Sequence, residues 1–134
     1  MLEAAAEAFL IITDPNRMLF VALGTLLGLM IGVIPGIGGL VGLALLLPFT
    51  FALDPFTALA FLVGVQSVTT TSDTIPAVLF GVPGTTGSAA TVLDGYPMAK
   101  NGEAGRAYGA AFTASVCGGL FGAAILAISI PVIR

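Results

Sequence analysis

The residues best suited to binding chemistry lie at two interruptions of a very apolar sequence. The segments Pro35-Gly36-Ile37-Gly38-Gly39 and Pro83-Gly84-Thr85-Thr86-Gly87 share the pattern P-G-x-x-G. A helix broken inside a membrane leaves backbone groups unpaired at several kcal/mol each, so breaks persist only where protein, water or ligand satisfies them. A segment that starts at a break also presents N–H groups that favour an anion. These breaks therefore predict a site for a small carboxylate, whether their likeness reflects an internal duplication or coincidence.

Hydroxyl side chains lie in and before the second break, within residues 67–72 and 85–88. The long uncharged stretches contain neither Lys nor Arg. An anion would then be held by backbone N–H groups, by hydroxyls, by a co-bound cation or by residues outside this chain. The predicted substrate-binding residues are Gly36, Gly38, Gly39, Thr70, Thr71, Ser72, Gly84, Thr85, Thr86 and Ser88.

Asp73 is the one acidic residue between uncharged runs of 18 and 20 residues. A carboxylate near the bilayer centre costs about 2.5–3.5 kcal/mol on insertion scales, which favours a functional role. We expect it to bind Na+ or H+ as a coupling ion, because an ionised carboxylate repels an anionic substrate. The alternative of equal weight is that Asp73 only caps a helix that starts at Thr74.

Composition excludes several other classes of function. The chain has 134 residues, is 57% hydrophobic and 8% charged, and has a mean hydropathy of +1.11, which is typical of a membrane protein. It has no His and a single Cys, Cys117, so it cannot by itself assemble a zinc site or a Ser-His-Asp triad. A net charge of −3 disfavours nucleic acid. The glycines after Pro35 lack the strand and the Lys of a nucleotide-binding loop.

The elements that must position these residues are helices. The sequence predicts an all-α, polytopic membrane protein with broken or re-entrant helices. The predicted segments are an interfacial helix over 2–12, a span over 16–34, a broken-helix region over 35–92, a polar loop over 93–106 and a span over 107–133. Within the broken region, residues 40–53 are too few for a crossing and predict a half-helix. The hydroxyls of residues 67–73 favour caps and turns after a helix that ends near Gln66, and a short helix follows over 74–80.

Two stripes of small residues predict close helix packing. Gly24, Gly28, Gly32 and Gly36 recur every four residues in the first span. Ala110, Ala114, Gly118 and Gly122 do the same in the last. Small residues let neighbouring backbones approach in a membrane. Glycine is also simply common in such helices, which is the alternative reading.

Three blocks of sequence resemble the large membrane subunit of the tripartite tricarboxylate transporters, the TctA family. They are "GVIPGIGG", "ALLLPFTFALDPFTAL" and "VLFGVPGTTGSAATVLDGYPMAKNGEAGRA". The block from Leu93 to Ala107 is the most specific, because no general membrane rule generates it. The family features fall on Pro35, Gly36, Gly38, Pro83, Gly84, Asp94, Gly95, Tyr96 and Pro97.

The resemblance implies secondary uptake of tri- or dicarboxylates across the bacterial inner membrane, driven by an ion gradient and without a cofactor. It implies a small membrane subunit and a periplasmic solute-binding protein as partners, and the lipid bilayer as surroundings. It also implies that this chain is an N-terminal portion of a larger inverted-repeat transporter. The alternative is a structural or assembly membrane protein whose glycines serve only helix packing. An enzyme is disfavoured because Ser72 has no base partner other than Asp73.

Overall fold

The computed structural model describes residues 2–133, with side chains described over residues 6–130. This part of the chain is all-α and contains no strand. The helices are α1 Leu2–Ile12, α2 Pro15–Gly32, α3 Gly39–Thr50, α4 Pro55–Ser72, α5 Thr74–Phe80, α6 Ala89–Lys100 and α7 Ala104–Ile133. Two of them are long and apolar enough to cross a membrane, namely α2 and residues 104–130 of α7.

Both Asp-Pro pairs start a helix. Asp14 accepts a hydrogen bond from the N–H of Asn16 at 2.9 Å and caps α2. Asp54 caps α4 by accepting from the N–H groups of Phe56 and Thr57, each at 3.1 Å, and from the Thr57 hydroxyl at 2.5 Å. The proline that follows each Asp has no N–H, so it leaves no unpaired donor in the first turn of the helix.

Glycines bring α2 and α4 into backbone contact. A Cβ on Gly28 would lie 2.5 Å from the carbonyl oxygen of Val65, and one on Gly64 would lie 2.6 Å from that of Val21. Gly24 meets the backbone of Phe61 in the same way. Residue numbers increase together along the interface, so the two helices run parallel. Gly24, Gly28 and Gly32 of the first predicted small-residue stripe therefore pack on another helix, as expected, whereas Gly36 lies beyond α2 and contacts nothing within 4 Å.

The half-helix α3 connects the two parallel helices and carries the chain back to the end at which α2 starts. Its 12 residues give about 18 Å, less than the roughly 30 Å hydrocarbon thickness. Gly39 faces Gln66, while Gly42 contacts Ile31 and lies near Val65, so α3 runs antiparallel to α4. The structure thus has a short helix where the sequence predicted one.

The hydroxyl-rich segment was predicted wrongly as caps and turns, because α4 continues to Ser72. The hydroxyls of Ser67, Thr69 and Thr70 each donate to a carbonyl three or four residues earlier, all at 3.1 Å. Such back-bonding satisfies a hydroxyl within the helix, so the helix does not have to end.

The predicted polar loop over 93–106 is also wrong for most of its length, since α6 continues to Lys100 and α7 starts at Ala104. Tertiary contacts override the local composition. Gly95 admits Val78 of α5, whose Cγ2 lies 2.9 Å from where a Cβ would be. The Tyr96 ring packs on Gly81. The turn between the helices includes Gly102, with φ +82°.

In the described part of the chain, the second small-residue stripe faces other helices only through Ala110 and Ala114, which line open clefts, and its C-terminal half has no neighbour. A Cβ on Gly118 or Gly122 would meet nothing within 4 Å. Residues 104–111 of α7 hold the partly buried side of that helix, where Ala107 is buried and the Tyr108 hydroxyl donates to the Ile75 carbonyl at 3.2 Å.

We predict that Gly28→Ala destabilises the fold by about 1–3 kcal/mol, because its methyl group overlaps the Val65 backbone and the helices must separate. Gly105→Ala is the control, since its methyl group meets nothing within 4 Å. The measurement is denaturant unfolding of the full-length protein in detergent. Equal stability of the two variants would contradict the proposed close packing.

We predict a pH-dependent contribution from Asp54. Hydrogen bonds from Thr57, and more weakly the charge of Arg17, hold the pKa of this carboxyl below its usual 3.8. A lowered folded-state pKa stabilises the fold above about pH 3.8, and this stability is lost as the pH falls through the folded-state pKa. Asp54→Asn keeps a capping oxygen but cannot titrate. The denaturant midpoint of this variant should therefore fall less than that of the wild type when the pH is lowered from 5 to 3. A parallel loss would contradict this assignment.

Candidate functional site

Asp73 lies at the junction of α4 and α5 and is only 2% exposed. Its own N–H continues the helical pattern by donating to the Thr69 carbonyl at 3.1 Å. Its side chain makes no capping hydrogen bond to α5. Instead, the carboxylate accepts a hydrogen bond from the hydroxyl of Thr85. The simple helix-cap reading of Asp73 is therefore wrong.

The second break is folded against Asp73. A Cβ on Gly84 would lie 2.6 Å from the Cβ of Asp73, so only glycine allows this approach. The Ser88 hydroxyl accepts from the N–H groups of Gly84 at 3.1 Å and Thr85 at 3.2 Å, and donates to the Thr85 carbonyl at 3.1 Å. Two of the four amides of this break are thus already paired, which corrects the expectation that they are all bare.

The first break meets the second at one point. A Cβ on Gly38 would lie 2.7 Å from Cγ2 of Thr85, the residue that also donates to Asp73. Within the described residues, the N–H groups of Gly38, Gly39 and Leu40 donate no hydrogen bond. The amides that remain available to an anion therefore include these three at the first break and the N-terminus of α3, and those of Thr86 and Gly87 at the second break.

An open cleft of about 370 Å³ lies beside Asp73, within the ~300–1,000 Å³ range of small-molecule sites. Five hydroxyls and one carboxylate line it, together with small side chains of α7. The oxygen-bearing residues are Thr70, Asp73, Thr74, Ser88, Thr91 and Ser115. Such a lining supplies both acceptors for a cation and donors for an anion.

The other predicted site residues lie elsewhere. Gly36 is exposed with φ +80°, and nothing lies within 4 Å of where its Cβ would be, so it serves the turn. Thr86 is exposed, and Thr71 is half-buried without a side-chain hydrogen bond. Ser72 packs against Gly32 and donates to the Thr69 carbonyl at 3.4 Å. The structure brings together Gly38, Thr70, Asp73, Gly84, Thr85 and Ser88 around the cleft and the adjoining break.

Sequence reasoning missed four polar residues of this region. Thr74, Thr91 and Ser115 line the cleft, and Gln66 places its Oε1 2.5 Å from where a Cβ of Gly39 would be. Gln66 is the one amide in α4, which is a signal that the sequence offered. Ser115 stands in an otherwise small and apolar run, and nothing in that run indicates which face meets Asp73.

The fold and the cleft define a helical membrane protein with a buried carboxylate at the meeting point of two helix breaks. The model of the tripartite tricarboxylate transporter TctA family matches residues 18–134, and the chain belongs to this family. It is also similar to an Agrobacterium vitis protein described as an uncharacterized 52.8 kDa protein in TAR-I ttuC' 3'region. The two are 38% identical over 117 residues, which cover 87% of this chain and 23% of that protein. No solved structure matches the chain.

We predict that Ser88→Ala lowers the free energy of unfolding by about 1–3 kcal/mol, because it leaves the buried amide of Gly84 without a partner. Ser129→Ala is the matched control, since the Ser129 hydroxyl donates only to a carbonyl of its own helix, that of Ile125 at 2.8 Å. Denaturant unfolding in detergent measures both. A Ser88 variant as stable as the Ser129 variant would contradict the bonding described for the second break.

Proposed function

We propose that this chain forms part of the membrane permease subunit of a tripartite secondary transporter that takes up small tri- or dicarboxylates with Na+ or H+. The proposal places the subunit as a multi-pass protein in the bacterial inner membrane. Its partners would be a small membrane subunit and a periplasmic solute-binding protein. The chain spans about a quarter of the length of the curated relative that it matches. The complete site would therefore include residues beyond those described.

The convergence of both breaks on Asp73 is the observation that carries the proposal. The Thr85 side chain contacts Gly38 of the first break and donates to the Asp73 carboxylate. Irregular backbone at membrane depth is tolerated where it lines a cavity, and discontinuous helices typically hold the sites of secondary transporters. Helix packing alone does not require a buried carboxylate at such a point.

The depth of Asp73 supports a role inside the membrane. Gly32, at the end of α2, packs on Thr69 and Ser72 of α4 and so marks the level of Asp73. Fifteen residues separate it from Arg17, or about 22 Å of helix. If Arg17 lies at one edge of a hydrocarbon core of about 30 Å and α2 runs along the membrane normal, Asp73 would lie inside the core and beyond its midplane.

The residues divide into two proposed roles. Asp73 with the hydroxyls of Thr85 and Thr70 would bind the coupling cation, because hard cations prefer oxygen ligands. The free amides of Gly38 and Gly39 at the start of α3 would bind a substrate carboxylate. A cation bound at Asp73 would offset the repulsion between the two carboxylates and so couple their binding.

We predict that Asp73→Asn abolishes ion-dependent uptake. Asn keeps an oxygen that accepts a hydrogen bond from Thr85 but removes the negative charge. Cation affinity should therefore fall by about 10- to 100-fold, which corresponds to the loss of one interaction with a charged group. The measurement is uptake of labelled di- and tricarboxylates by vesicles that hold the full-length subunit and its partners, with and without a sodium or proton gradient. Asp94→Asn is the control, because Asp94 is exposed on α6.

Wild-type, gradient-dependent uptake by the Asp73 variant would overturn the assignment of Asp73. Absence of carboxylate uptake by the wild-type complex would instead overturn the transport proposal itself. The competing proposal of a purely structural membrane protein is favoured by the glycine contacts between α2 and α4. Those contacts explain Gly24, Gly28 and Gly32 but leave the cleft beside Asp73 without a purpose.

A further inference from the structure

A second groove lies at the opposite end of α2 from Asp73, between α1, α2 and α4. It measures about 290 Å³ and is lined by aliphatic and aromatic side chains with a single cation, Arg17. We call it the Arg17 groove and define it by Ile11, Arg17, Val21, Phe56, Ala60 and Val63. From Phe56 to Val63 it follows α4 for about 10 Å.

Two contacts hold the Arg17 guanidinium at the mouth of this groove. Its Nη1 donates to the Ile11 carbonyl at 2.6 Å, and its Cζ lies 5.2 Å from the centroid of the Phe56 ring. Among the side chains that the structure describes, no carboxylate lies within 4 Å of it. Since a guanidinium carries five N–H donors, several remain for a ligand.

A negative charge accompanies this cation. Asp54 stands two residues before Phe56, on which the guanidinium lies, and is exposed. Its carboxylate already accepts three hydrogen bonds at the start of α4 yet still faces solvent. Asp54 does not itself line the groove, but its carboxylate lies near enough to Arg17 to feel the charge of the guanidinium, and the wall below offers only apolar surface.

We propose that the Arg17 groove binds a phospholipid whose headgroup carries a phosphate and a primary ammonium, of the phosphatidylethanolamine type. The phosphate would lie on Arg17, the ammonium on Asp54, and an acyl chain along Val21, Ala60 and Val63. Guanidinium is well suited to phosphate. A purely anionic headgroup would meet Asp54 as a repelling charge, and a quaternary ammonium has no N–H to donate to it.

The position of the groove fits the level at which headgroups lie. Arg17 belongs to the first turn of α2, and Asp54 caps α4, so both charges lie where these two helices start. An arginine at this level places its charge in the headgroup region. The lipid would also fasten α1 to the bundle, because Ile11 and Ile12 of α1 form one wall.

The test is native mass spectrometry of the full-length subunit, purified in detergent and mixed with equal amounts of phosphatidylethanolamine, phosphatidylcholine and phosphatidylglycerol of identical acyl chains. We expect the wild type to retain phosphatidylethanolamine preferentially. Arg17→Gln should reduce that retention about tenfold, the effect of losing one ionic partner. Asp54→Asn, which keeps an oxygen for the cap, should abolish the preference over phosphatidylcholine. Arg106→Gln is the control, since Arg106 is exposed and pairs with Glu103.

A further variant tests the apolar wall without touching a charge. Ala60→Leu should fill the groove and lower retention of all three lipids, while unfolding in lipid-free detergent shows that the variant remains folded. Equal retention of the three lipids by the wild type would overturn the proposal. So would undiminished binding by Arg17→Gln, or a wild type that retains no lipid because the rest of the chain covers the groove. None of these readouts depends on transport.

Discussion

The close approach of α2 and α4 is the constraint on which the rest of the structure depends. Backbone lies against backbone at Gly24, Gly28 and Gly64, so neither helix can rotate or slide without a clash. Lipid supplies no hydrophobic force between helices, and association has to come from contacts of this kind. The interface continues to Gly32, which packs on Thr69 and Ser72 and so fixes the residues immediately before Asp73.

Asp73 is held by a different set of contacts. The second break folds back on it, with Gly84 against its Cβ and the Thr85 hydroxyl on its carboxylate. Ser88 pairs the amides of Gly84 and Thr85, so this break satisfies part of its own hydrogen-bonding needs. The two breaks therefore differ despite their shared sequence pattern. The second supports a carboxylate and pairs two of its amides with Ser88, whereas the amides of Gly38 and Gly39 in the first have no such hydroxyl partner.

The sequence predicted the helical class, the positions of both long apolar helices, the half-helix and the interruption of helices at both breaks. These features follow from composition, length and the local chemistry of glycine and proline. The end of α4 could not be predicted in this way, because the hydroxyls of Ser67 and Thr70 have two uses of similar energy, in a turn or bonded back to the helix.

Long-range contacts explain the remaining errors in the sequence-based prediction. The segment after Leu93 reads as a loop from its composition, but Gly95 and Tyr96 are packed against α5 and its end. Likewise, the sequence treated both P-G-x-x-G segments as equivalent. Only the position of Ser88 relative to Gly84, and of Thr85 relative to Asp73, distinguishes them, and that is a property of the folded chain.

The parallel course of α2 and α4 fixes a topological relation. Because α3 carries the chain back, the two Asp-Pro starts at residues 14 and 54 lie at the same end of the bundle. An impermeant reagent directed at either position would therefore report on the same compartment. The stretch between them runs away from this end along α2 and back along α3, so each end of α3 lies at the level of one terminus of α2 and one terminus of α4.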